Sequence, residues 1–219
     1  MSAKLWAEIG LGIYETFYMT LASTLLGYVI GLPLGVILII PRRDGIRQNL
    51  AVNQVLGVIV NIMRSIPFLI LMIAIIPFTR FVMGKSYGST ATIVPLTMAA
   101  FPFISRMVES SLSEVDGGVI EAAQAMGATP MQIIRKVYIP EATPSLISGA
   151  AIVATNILGY SAMAGSVGGG GLGAIAINYG YYRFNAEVMV VCIAIMVVLV
   201  QAMQLVGTRL SVQLDHRLR

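Results

Sequence analysis

Charge is what this sequence lacks most. It holds 14 Lys and Arg and 10 Asp and Glu in 219 residues, so charged side chains make up 11% against 57% hydrophobic ones. A water-soluble domain carries about 25% charged residues. Less than half that share leaves too little polar surface to clothe a soluble fold. The deficit is regional, because uncharged apolar runs alternate with short charged clusters, as in membrane spans joined by loops. Cysteine is nearly absent. Cys192 stands alone in the apolar run 188–200, so it forms no intrachain disulfide and reads as a small packing residue. The one histidine, His216, lies in a polar tail, where it reads as solvated and holds no metal alone. No Walker A sequence and no Ser/His/Asp set in a plausible context occurs. Nucleotide binding by that route and enzymatic chemistry are therefore not expected of this chain. The net charge of +4 comes from scattered basic residues. It reads as membrane topology, with no nucleic-acid partner.

What is present is a set of long uncharged runs. They predict five transmembrane helices at about 16–40, 55–78, 89–105 (extending to 110), 144–164 and 188–207. The fold class is all-α and polytopic, with residues 1–219 forming a single transmembrane domain. Gly27, Gly31, Pro33 and Gly35 predict close packing and a kink in the first helix. Arg64 and Pro67 interrupt the second. Lys4, Glu8 and Glu15 precede the first run, and no cleavage site follows, so that run is read as a retained helix.

Five spans place the termini on opposite sides. With the C-terminus inside, the inner set is Arg42, Arg43, Arg47, Arg106, Arg135, Lys136, Arg209, Arg217 and Arg219. The outer set is Lys4, Arg80, Lys85 and Arg183. The excess predicts a periplasmic N-terminus and a cytoplasmic C-terminus.

The long inner loop, 106–143, is too polar to span. Asp116 is placed to cap a helix. Thr129 and Pro130 read as an N-cap and first helical position. Two short helices joined at Gly127 are expected, with Pro140 and Pro144 marking the return to the membrane.

Within that loop, Glu121-Ala122-Ala123, then Gly127, then Val137-Tyr138-Ile139-Pro140 match the cytoplasmic signature of bacterial ABC import permeases. That signature is EAA, three residues, Gly, nine residues, then I-x-L-P. Val137 stands for Ile and Ile139 for Leu, and the spacing is kept. The sequence thus resembles a type I ABC importer permease. Further segments, Arg64-Ser65-Ile66-Pro67-Phe68, Ile76-Pro77-Phe78-Thr79-Arg80, 125–133 and Gly159-Tyr160-Ser161-Ala162-Met163, resemble the permease subunits of methionine importers.

The resemblance implies an inner-membrane subunit that pairs with a second copy of itself and with a cytosolic ABC ATPase dimer. That dimer binds ATP and Mg, and this chain carries no cofactor. A separate extracytoplasmic binding protein delivers L-methionine, its D isomer or close analogues. The loop at about 116–140 becomes the coupling helix. Ala122, Ala123 and Ala125 permit close approach to the ATPase, Gly127 permits the turn, and Glu121 offers a charge-assisted hydrogen bond. Gln124, Met126 and Met131 fill its pockets. The blander reading is an amphipathic helix lying on lipid.

Tyr160, Ser161 and Met163 stand among small residues late in the fourth span. They line or close the translocation path on one reading and simply pack on the other. Arg64 would cost at least ~2.5 kcal/mol unpaired at mid-membrane. It either faces a cavity or partner helix, or snorkels to the inner boundary. Gly168 to Gly171 with Gly173 fit G-x-G-x-x-G, but no strand precedes them, so a turned outer loop is expected. Tyr179, Tyr181, Tyr182 and Phe184 suit an interfacial belt. Arg106 and Glu109 are spaced for a helix-end ion pair. Two alternatives stand beside the methionine reading. One is a permease of the same build for another small amino acid. The other is an ion-coupled secondary carrier, which needs intramembrane carboxylates that the predicted spans lack.

Overall fold

The long first helix shows how this chain builds its core without large apolar side chains at the contact. In this computed structural model, which describes residues 3–43 and 45–214, α1 runs Ala3–Ile39. Its buried face repeats about every fourth residue through Thr16, Thr20, Ser23, Gly27, Gly31 and Gly35. These small residues let α5 (Ser89–Ser113) approach backbone to backbone. Ile104 of α5 fills the groove over Gly27 and Gly31. The buried hydroxyls are satisfied locally, Thr20 donating to the Thr16 carbonyl and Thr24 to that of Thr20 at 2.7 Å each.

The second span is broken where the sequence placed Pro67. Helix α2 (Leu50–Ser65) ends at an extended Ile66, and α3 (Phe68–Ala74) leaves at 93° to it. A short α4 (Ile76–Met83) stops at Gly84, whose φ of 70° suits a left-handed cap. The knuckle follows α5. Helix α6 (Gly117–Ala125) is capped by Asp116, which accepts from the Gly118 N–H. Helix α7 (Pro130–Ile133) opens with a capping box of Thr129 and Gln132. Then α8 (Ile139–Ala164), α9 (Gly171–Ile175) and α10 (Ala186–Leu214) complete the chain. Among the described residues four helices are long and apolar enough to cross a membrane, or five with the broken pair counted as one span.

Three expectations change. The second knuckle helix does not end at Pro140. A π-helical turn at Ile134–Tyr138 joins α7 to α8, giving one 38-residue element, Pro130–Val167. The wider turn passes the Ile139 N–H to the Ile134 carbonyl, which accommodates the N–H that Pro140 lacks. The first helix starts thirteen residues before position 16, at Ala3, and the third extends to Ser113. Each helix therefore takes in carboxylates that lie beyond the uncharged runs 16–40 and 89–105. Those carboxylates are partnered. Glu8 accepts from the Tyr179 hydroxyl at 2.6 Å and Glu15 from the Gly171 N–H at 2.7 Å. Glu109 pairs with Arg106 at 2.6 Å, and Arg106 also donates to the Gly57 carbonyl, tying α5 to α2.

His216, Arg217 and Arg219 lie outside the described residues. Arg42 borders a cavity with Gly117 and Ile120 of the knuckle, Arg135 and Lys136 lie in the π-helical turn beside it, and Arg209 lies two residues before Ser211, which donates to the Pro144 carbonyl. Lys4 and Arg183 border a cavity with Tyr179, and Lys85 lies three residues before Gly88, which is hydrogen-bonded to Gly168.

Candidate functional site

The knuckle presents an unusual surface because its own core is small. Ile120, Ala123 and Ile133 turn inward and pack on the bundle. Glu121, Ala122, Gln124 and Ala125 face outward. At the tip Met126 is 82% exposed and Met131 57% exposed. Between them Gly127 turns the chain at φ 77°, with open space where a Cβ would project. Two flexible thioethers thus flank a tight turn with nothing of the protomer over them. Ala123 departs from the expected outward set. In α6 it falls on the face of Ile120, so it seats the helix on its own bundle.

The late part of α8 divides its residues between two faces. Met163 is half exposed, on a stripe with Ile152, Asn156 and Gly159. Tyr160 stacks flat on Phe68 of the broken span, ring centroids 4.8 Å apart and 6° from coplanar. Ser161 is buried, and its hydroxyl donates to the Leu158 carbonyl at 2.7 Å. The structure therefore leaves Met163 on an open face, packs Tyr160 half-buried against Phe68 and buries Ser161. Arg64, in the last turn of α2, lies over the Phe103 ring at 5.5 Å.

The glycine loop is a tight turn. Gly168, Gly170 and Gly171 all have φ between 72° and 84°, which other residues adopt only with strain. Glu15 receives the Gly171 N–H, and Thr16 Oγ1 that of Leu172 at 2.9 Å. Gly88 donates to the Gly168 carbonyl at 2.8 Å, binding the loop to the start of α5. Sequence reasoning missed Glu15, because its partner lies 156 residues away. Replacing Glu15 with Ala leaves the Gly171 N–H unpaired in a part-buried place. The expected loss is about 1–3 kcal/mol, checked by thermal melting in detergent.

Beside the loop, Tyr179 donates to Glu8 and lies under the Arg183 guanidinium at 4.4 Å. The hydrogen bond to Glu8, then burial, pushes its phenol above the ordinary range, so it stays a neutral donor. Tyr181, Tyr182 and Phe184 are largely exposed around it.

A broken span, a glycine-striped central helix and a structured knuckle outside the apolar bundle define a polytopic all-α membrane transport component. The chain belongs to the family of binding-protein-dependent transport system inner membrane components, whose description matches residues 23–219. It is thus a transport subunit of the inner membrane, not an enzyme. The probable D-methionine transport system permease protein MetI of Vibrio cholerae is 50% identical over 204 residues, covering 93% of this chain and 91% of that one. The D-methionine transport system permease protein MetI of Escherichia coli K12 is 53% identical over 154 residues, 70% of this chain and 71% of that one. A solved chain of the MetNI methionine ABC transporter, in inward-facing conformations, superposes with a TM-score of 0.97 at 48% identity, covering 99% of this chain and 100% of that one. A chain of an amino acid ABC transporter solved with histidines shares the fold, with a TM-score of 0.78 at 19% identity over 96% of this chain and 95% of that one.

Proposed function

We propose that this chain is the membrane-spanning permease subunit of an ATP-driven methionine importer that accepts L- and D-methionine. Residues 1–219 act as one permease domain, with 116–140 as its cytosolic handle. Two copies pair with a cytosolic ABC ATPase dimer, which binds the ATP and Mg. An extracytoplasmic binding protein docks at the glycine-loop end, where Tyr181, Tyr182 and Phe184 are exposed.

The observation that carries this reading is the knuckle. Its exposed Met126 and Met131 have no partner within the protomer, and soluble surfaces seldom leave adaptable apolar side chains so bare. The relatives named for methionine transport supply the substrate. The basic residues collected at the knuckle end favour that end as cytoplasmic, with the N-terminus periplasmic. The secondary-carrier alternative is weakened, because Glu8, Glu15 and Glu109, the carboxylates inside α1 and α5, each hold a structural partner.

In this scheme ATP draws the two knuckles together. The rigid unit of knuckle and α8 transmits that motion along one continuous 38-residue element. Tyr160 and Met163 then act at the path, with Ser161 behind them fastening the end of α8. Met163→Ala removes the bulk from the open face of α8. It is expected to raise ATP hydrolysis without raising uptake, so that the uptake per ATP falls several-fold. Unchanged uptake and unchanged coupling would remove Met163 from the gate.

Labelled-methionine uptake into liposomes holding the permease, ATPase and binding protein tests the whole reading. Uptake should require ATP and should compete with unlabelled L- and D-methionine. Uptake that ignores ATP, or follows an ion gradient, would sink it.

A further inference from the structure

Arg64, exposed at the end of α2, has no ion pair among the described residues. It stands about 21 Å along α2 from Leu50 at the rise of a regular helix. Phe103, beneath it, lies a similar distance into α5 from the other end. No carboxylate among the described residues comes within ion-pair distance of Arg64; Glu109 is taken by Arg106. The guanidinium turns toward α5 and the Phe103 ring. This favours the cavity-facing reading over snorkelling to the boundary.

A cleft of about 190 Å³ opens beside it, lined by Met63, Arg64, Phe68, Ala99, Phe103 and Tyr160 among others. One end is cationic. The body is formed by the Phe68–Tyr160 stack and the Met63 side chain. The volume lies below the ~300–1,000 Å³ of drug-sized sites, which suits a small amino acid.

We propose that this cleft is a transient subsite for an apolar α-amino acid. Arg64 takes the α-carboxylate in a forked hydrogen bond. The aromatic pair and Met63 take the side chain, thioether against ring and thioether. No carboxylate lines the cleft to fix the ammonium group. Recognition therefore rests on two contacts, which do not separate D from L. The subsite holds cargo weakly enough to release it, as a conducting path requires. The inference rests on the methionine-import reading and adds the residues that recognise the cargo within the span.

Uptake into liposomes by the full complex tests it with two kinds of variant. Arg64→Gln should lower L- and D-methionine uptake about tenfold or more, and Arg64→Lys should restore part of it. Met63→Ala enlarges the cleft, so the ratio of ethionine to methionine uptake should rise about threefold. That ratio does not depend on how much complex has folded. Full uptake by Arg64→Gln, or an unchanged ratio in Met63→Ala, overturns the subsite while wild-type methionine uptake stands. Failure of both Arg64 variants to assemble with the ATPase assigns the residue to subunit or lipid packing and also overturns it. Absence of methionine uptake by the wild-type complex overturns the import reading itself, and the subsite falls with it.

Discussion

Changing Met126 and Met131 together to Asp is expected to lower ATP-driven uptake on the order of a hundredfold or more. Each methionine is placed as an anchor at the centre of a small docking surface, and such anchors contribute about 2 kcal/mol or more apiece. Every 1.4 kcal/mol is about tenfold in affinity. The protomer should scarcely notice the change. Both side chains are exposed, and the core beneath them is made by Ile120, Ala123 and Ile133. Exposed substitutions of this kind usually lie within about 0.5 kcal/mol. Co-purification with the ATPase and methionine-stimulated hydrolysis are the measurements. A protein that melts normally but no longer retains its ATPase fits the prediction. Glu121→Arg should act in the same direction, because it reverses a charge on the same exposed helix. Retained transport in either variant would count against the knuckle as the coupling element, and the lipid-surface reading would regain ground.

Where the sequence was readable, a strong local penalty made it so. Charge is costly in hydrocarbon, so the five uncharged runs fall on the four long apolar helices and the bent pair α2–α3, with its break at Pro67, where an extended residue must precede the ring. Asp116 and the Thr129–Pro130 pair named helix starts correctly, because a cap is satisfied by the next two or three residues. The misses share the opposite property. Glu8 and Glu15 read as lying before the first span, yet both sit inside α1, whereas Glu109 makes the pair with Arg106 that its spacing predicts. The first two are held by residues 171 and 156 positions away, which no local pattern reveals. Pro140 and Pro144 read as the return to the membrane, and α8 does begin there, but no local pattern reveals that the π-helical turn before them makes α7 and α8 one element. The knuckle motif was legible as a spacing. Its facing was not, since the burial of Ala123 depends on how α6 lies on the bundle. Ser161 fails in the same way. Small residues mark that helix face as closely packed without saying which neighbour it packs on.

The glycines of α1 support the strongest stability prediction, and their neighbours set its size. A Cβ at Gly31 would lie 2.7 Å from Ile104 Cγ2 and 2.8 Å from the Phe101 carbonyl oxygen. The first is a side-chain atom of a buried residue, and the second is backbone. Neither can yield without moving α5 off α1, the pair around which the other spans are built. Gly31→Ala should therefore destabilise by about 2 kcal/mol, and Gly31→Val by about 3 kcal/mol or more. Helix propensity alone argues the reverse, since Ala is better than Gly in a helix by about 1 kcal/mol. Gly10 separates the two effects. It lies in the same helix, is exposed, and has open space around the position of its absent Cβ. Gly10→Ala should leave the melting temperature unchanged or raise it, while Gly31→Ala lowers it. If both glycines respond alike, the stripe is a matter of helix propensity, and the close approach of α1 to α5 does not control how this permease holds together.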